Sequence, residues 1–169
     1  MKKMNKEKLI LVKKLIGLVS AVLCLLLMFI KFIKYTSTST LISGGSLTWD
    51  SSVSLYNFLF SEKQSVFDGS ISILRDAFGY SHVVMWISFI LCLVSVAILT
   101  VGVFMKKGLI SKIGSFVLMG AIVILATLIF DRDTSANTVR YLNVFTLGYL
   151  LLIVTSGLGL MATVTIKDK

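Results

Sequence analysis

Residues 83–105 read VVMWISFILCLVSVAILTVGVFM, 23 consecutive positions without a charge. At about 1.5 Å per residue, a helix of that length covers the ~30 Å hydrocarbon core of a bilayer. Two further runs have the same character: Ile113 to Phe130, 18 residues, and Leu142 to Ile166, 25 residues. A fourth, Leu15 to Ile30, has only 16 uncharged residues. It reaches spanning length when Lys31 and Lys34 lift their ammonium groups along their alkyl stems to the interface. Four spans are therefore expected, at residues 15–34, 82–105, 113–130 and 142–166.

The whole chain supports that reading. Of 169 residues, 56% are hydrophobic and 15% charged, and mean hydropathy is +0.94. Ordinary soluble domains carry about 25% charged residues, and a chain this short lacks the interior volume to hide so much apolar surface. A soluble globular enzyme, a nucleic-acid module and a disordered tail are all excluded. The expected fold class is an all-α membrane protein, an up-down four-helix transmembrane bundle with a long first extracellular segment.

A cleavable signal peptide is the rival for the first run, because six lysines precede it. Such a peptide ends in small residues, whereas this run ends in Phe29-Ile30-Lys31-Phe32-Ile33-Lys34. Nor is Cys24 a lipoprotein acceptor, since Val22 and Leu23 precede it. A retained anchor is expected.

Charge placement gives a direction. Residues 1–14, 106–112 and 167–169 hold 11 Lys/Arg and only Glu7 and Asp168 as acids, so they carry the entire net charge of +9. The segments at 35–81 and 131–141, with Lys31 and Lys34, balance to zero. The positive-inside rule then puts both termini and the 106–112 loop in the cytoplasm, with 35–81 and 131–141 outside. Tyr35, Tyr80, Trp86, Phe130, Tyr141 and Phe145 fall near the outer ends of the spans, where amphipathic rings favour the interface. Lysine outnumbers arginine 14 to 3, a compositional hint of a bacterial source and so of a plasma membrane.

Helices in lipid associate through small residues at helical spacing. The first span offers Gly17, Ala21, Cys24 and Met28, and the second Ser88, Cys92, Ser95, Leu99 and Gly102. The fourth offers Thr155, Gly159 and Thr163, as an internal or a dimer contact. Gly114, Gly120, Ala121 and Ala126 of the third define no single stripe. Left-handed crossing is expected between spans one and two. No proline occurs, so the commonest cause of sharp kinks is missing.

In the long segment, TSTSTLISGGS at 36–46 reads as a flexible linker. Trp49, Val53, Tyr56 and Phe60 then recur at helical spacing, which predicts an amphipathic helix over about 50–61, lying on the outer leaflet or capping the bundle. A β-hairpin competes, because Ser52-Val53-Ser54-Leu55 and Ser70-Ile71-Ser72-Ile73 both alternate around an Asp68-Gly69 turn. The four-span layout with a long first loop is similar in outline to the claudin group. That group's Gly-Leu-Trp and paired cysteines do not occur here, where Trp49 alone is found, so membership does not follow.

Inside the four runs there is no Asp, Glu, Lys, Arg or His. Such residues mark proton relays and ion paths, so no catalytic residue, cofactor or metal site is expected. Cys24 and Cys92 read as small packing residues. His82, Asp131 and Asp133 lack diagnostic ligand spacing, and Asp131-Arg132-Asp133 with Arg140 reads as a rim of ion pairs. Trp49, Tyr56, Phe60, His82, Asp131, Asp133 and Arg140 form the expected outer recognition surface. The expected function is non-catalytic, through contact with lipid and with a membrane-protein partner or further copies of the chain. An accessory subunit or an immunity or stress protein fits that description. The alternative is a small oligomeric channel, a holin-like pore or a lipid or solute carrier. No nucleic-acid partner is expected.

Overall fold

The long helices follow the apolar runs, and strands occur in the segments after the first and third of them. The computed structural model describes residues 6–40, 44–60, 79–105, 108–128, 131–135, 138–144 and 146–166. In chain order these form α1 (Lys6–Leu27), β1 (Lys31–Thr40), β2 (Ser46–Ser54), α2 (Leu55–Phe60), α3 (Gly79–Phe104) and α4 (Leu109–Leu125). A 3₁₀ turn (Ala126–Leu128), β3 (Asp131–Ser135), β4 (Thr138–Asn143) and α5 (Leu147–Val164) follow. Four helices, Lys6–Leu27, Tyr80–Phe104, Leu109–Leu128 and Leu147–Val164, are long and apolar enough to cross a membrane.

The all-α expectation is corrected by a four-stranded antiparallel sheet in the order β2-β1-β4-β3. The stretch expected to be a linker supplies half of β1, from Thr36 to Thr40. Its alternating Ser and Thr suggest flexibility by composition, but threonine is β-branched and favours the extended backbone. The expected helix over 50–61 is half correct: strand persists to Ser54, and α2 begins at Leu55. The Ser54 hydroxyl accepts the Asn57 backbone N–H at 3.1 Å, an N-cap that sets this boundary. β2 pairs with β1, and the 70–73 arm of the competing hairpin lies outside the described residues.

The helix in the first run also shifts. It starts at Lys6 and stops at Leu27, so Lys31 and Lys34 belong to β1 and are exposed. Lysine is a good helix former, and Leu9 to Val12 continue the apolar pattern toward the N-terminus. The 131–141 segment and the first residues of the fourth run supply β3 and β4, and α5 begins only at Leu147.

By packing, the chain divides into two units. A helical unit comprises Met1–Leu27, Ser88–Val123 and Leu151–Lys169, and a sheet unit comprises Met28–Ile87 and Ile124–Leu150.

In the helical unit the buried positions of α1 are Lys14, Gly17, Ser20, Ala21 and Cys24. Those of α3 include Ser88, Cys92, Ser95, Leu99 and Gly102. α3 packs antiparallel on α4: the Ser88 hydroxyl donates to the Ala121 carbonyl and the Ser95 hydroxyl to the Gly114 carbonyl, both at 2.8 Å. Gly102 lets Ser111 approach so closely that a Cβ there would stand 2.5 Å from its Oγ. Contacts seven residues apart on α3 are the repeat of left-handed crossing. Gly114, Gly120, Ala121 and Ala126 define no single stripe, as expected, because Gly120 is exposed and Ala126 only half-buried. Ser111, Gly114, Ser115, Leu118, Ala121 and Ile122 form one buried face, which counting only glycine and alanine hides. Gly120 is exposed, with nothing near its absent side chain.

Candidate functional site

All four long helices contribute to the surroundings of Gly17. A Cβ built there would lie 2.7 Å from Thr163 Cγ2, 3.4 Å from Ser115 Oγ and 3.5 Å from Leu99 Cδ2. Gly159 lies against the same helix, where its Cβ would meet Ser20 Cβ at 2.8 Å. Gly159 and Thr163 thus serve α1–α5 packing inside the unit, and Thr155, one turn earlier on α5, is half-buried. Thr163 is fixed by hydrogen bonds from its hydroxyl to the Gly159 and Leu160 carbonyls, both 3.1 Å. Cys24 approaches the Leu152 carbonyl at 3.8 Å, Ala21 is fully buried, and Ser156 donates to Met119 Sδ at 3.3 Å.

Two lysines that the sequence reading treated only as charges have structural roles in this unit. Lys13 donates to the Thr165 carbonyl at 3.1 Å, and buried Lys14 donates to the Met105 carbonyl. These carbonyls lie just beyond the ends of α5 and α3, where a cation satisfies an otherwise unpaired acceptor and complements the helix dipole. Ser111 and Ser115 are buried with hydroxyls that have no partner.

In the sheet unit, strand register collects residues that are far apart in sequence. Trp49 is opposite Ser37, Ser37 opposite Arg140, and Arg140 opposite Asp133. One row across all four strands therefore reads Trp49, Ser37, Arg140, Asp133. The row two residues along reads Ser51, Tyr35, Leu142, Asp131. Strand positions two apart share a face, so Trp49, Arg140, Asp131 and Asp133 occupy one face of the sheet. Pairing of β1 with β4 could not be read from local pattern, because a hundred residues separate them.

Tyr56, Phe60 and His82 fall elsewhere in this unit, in a ladder of rings. Phe29 stacks on Tyr56 with centroids 4.6 Å apart, Tyr56 meets Phe60 at 4.8 Å, and Phe60 meets the edge of Trp86 at 5.0 Å. Trp86 Nε1–H donates to His82 Nε2 at 3.2 Å, and His82 also faces Phe58 at 6.0 Å. Sequence reading missed Phe29 and Phe58 as members of this group, though the position of Phe29 at the end of an apolar run was the available signal. The Tyr56 backbone N–H donates to the Met28 carbonyl at 3.2 Å, which ties α2 to the segment that precedes β1. At the other edge of the unit, the Thr146 hydroxyl donates to the Phe32 carbonyl at 2.7 Å, and Gly148 packs on buried Phe32.

No protein-family model matches this sequence, and no curated protein matches it.

Proposed function

We propose that this chain is a four-span membrane protein that acts without catalysis, by presenting the sheet face bearing Trp49, Arg140, Asp131 and Asp133 to a membrane-protein partner. The observation that carries the reading is the register row Trp49–Ser37–Arg140–Asp133, which joins both segments expected outside into one surface. Strands that share hydrogen bonds lie on one side of any bilayer, which supports the assignment of both segments to the same side. Lys13 and Lys14, bonded beyond the ends of α5 and α3, likewise support placing the N-terminal segment, the 106–112 loop and the tail together on the cytoplasmic side. Large apolar side chains exposed along the long helices, such as Leu26, Leu93, Val154 and Leu158, are the surface that lipid covers.

Tryptophan and arginine are the residue types that dominate binding energy at interfaces. An accessory subunit or a protective protein resident in the plasma membrane uses such a face. The test is purification from native membranes at native expression, comparing the natural chain with Trp49→Ala/Arg140→Ala. A stoichiometric partner retained by the natural chain and lost from the folded double variant is the expected result. Recovery without a partner, or retention of the partner by the double variant, overturns the reading.

A further inference from the structure

We infer that α2 is an interfacial anchor, with the Phe29–Tyr56–Phe60–Trp86 ladder seated at the headgroup–acyl boundary of the leaflet on the sheet side. The inference rests on the membrane reading above and adds what covers α2. Three observations converge on lipid as the occupant. Depth is the first: the Tyr56 N–H to Met28 carbonyl bond ties α2 to a residue near the end of the first apolar run, and Trp86 lies within the first turns of α3. Rings with an apolar body and a polar tip concentrate at that level.

The second is continuity of surface. α2 turns Leu55, Phe58 and Leu59 inward and leaves Tyr56 and Phe60 exposed by 37% and 41%. Within the same unit Phe29, Ile30, Tyr80, Val83 and Ile87 are also exposed. Tyr80, Val83 and Ile87 are spaced three and four apart, so they form one stripe on α3, with Trp86 at its border. Phe60 reaches that border through Trp86, so α2 extends the same apolar surface beyond the helices that would cross the bilayer.

Charge is the third. Exposed Lys31 follows Phe29 and Ile30 directly, and Lys34 is exposed three residues later. Ammonium groups beside an aromatic band suit the phosphate layer, and the ladder itself contains no carboxylate. Interfacial helices seat their apolar faces about 5–10 Å into the headgroup–acyl region, and Lys31 and Lys34 are the cations nearest in sequence to Phe29.

The experiment places single tryptophans in a background of Trp49→Phe and Trp86→Phe and reconstitutes each variant in phosphatidylcholine vesicles. One probe is Phe60→Trp on α2. The other is Leu93→Trp, an exposed site midway along α3. Lipids brominated either near the glycerol backbone or near the chain ends serve as quenchers. The expected result is that Phe60→Trp is quenched about two-fold more by shallow bromine than by deep bromine, with the reverse order for Leu93→Trp. If Leu93→Trp is quenched while Phe60→Trp resists both lipids, protein or water covers α2 and the anchor is wrong. If neither probe is quenched, the membrane reading itself fails.

Discussion

Substituting Gly17 tests the packing of the helical unit at its tightest point. The nearest atom to an added Cβ is Thr163 Cγ2, 2.7 Å away, where ordinary contact needs more than 3.4 Å. Something must move by more than half an ångström. Thr163 cannot rotate freely, because its hydroxyl is held by the Gly159 and Leu160 carbonyls. Turning the methyl aside therefore sacrifices a hydrogen bond, about 0.5–1.5 kcal/mol. Ser115 and Leu99 already stand at 3.4 and 3.5 Å, so a helix shift meets resistance on those sides too. Overpacking of this kind costs about 1–3 kcal/mol, and Gly17→Ala should be destabilised by that amount. Thr163→Ser removes the methyl and keeps the hydroxyl. In combination with Gly17→Ala it should recover at least half of the loss. The assay is reversible unfolding in mixed micelles with a denaturing detergent, run as a double-mutant cycle. Natural stability for Gly17→Ala, or additive losses in the double variant, would refute the contact.

Other sites give sharper contrasts. Gly120→Ala and Gly157→Ala should be neutral or slightly stabilising in the same assay, since nothing lies within 4 Å of either Cβ and alanine is the better helix former. Ser95→Ala removes the bond to the Gly114 carbonyl and should cost about 0.6 kcal/mol, the typical value for an interhelical bond in a membrane protein. A loss several times larger would show that the serine supports more than this bond. The β1–β4 register predicts that Thr38→Cys with Val139→Cys forms a disulfide on mild oxidation, because these positions are directly opposed. Thr38→Cys with Tyr141→Cys should not crosslink, and the reverse pattern would mean that the strands are slipped.

What the sequence revealed, and what it hid, follows from the range of the forces involved. Apolar runs are local, so three of the four long helices were legible from uncharged length alone, whereas the first run fell short by that measure and its helix instead extends back through Lys13 and Lys14 to Lys6. Helix ends were less so: nothing in Leu27 to Lys34 announces the change from helix to strand, because Phe32, Ile33 and Tyr35 suit either. The Ser/Thr stretch before Gly44 was misread because flexible linkers and exposed strands share a composition, and the partner strand that decides between them is remote. On α3, small residues at regular spacing identified the buried face. On α4, glycine and alanine alone define no single stripe, and the buried face emerges only when Ser111 and Ser115 are counted with Gly114 and Ala121. The recognition residues were chosen as aromatic and charged positions in the segments expected outside and at the outer start of the second span. The sheet register brings Trp49, Arg140, Asp131 and Asp133 together on one face, whereas Tyr56, Phe60 and His82 belong to the ring ladder.

The proposed topology puts the sheet outside the cell membrane and both termini inside. Cys24 and Cys92 are buried, so an exposed engineered cysteine can be read above a low background. Thr48 in β2 and Thr165 just after α5 are both exposed. Intact cells carrying either Thr48→Cys or Thr165→Cys would be treated with a membrane-impermeant maleimide, before and after permeabilisation. The account predicts labelling of Thr48→Cys in intact cells and of Thr165→Cys only after permeabilisation. Labelling of Thr165→Cys in intact cells, with Thr48→Cys protected until lysis, would contradict it.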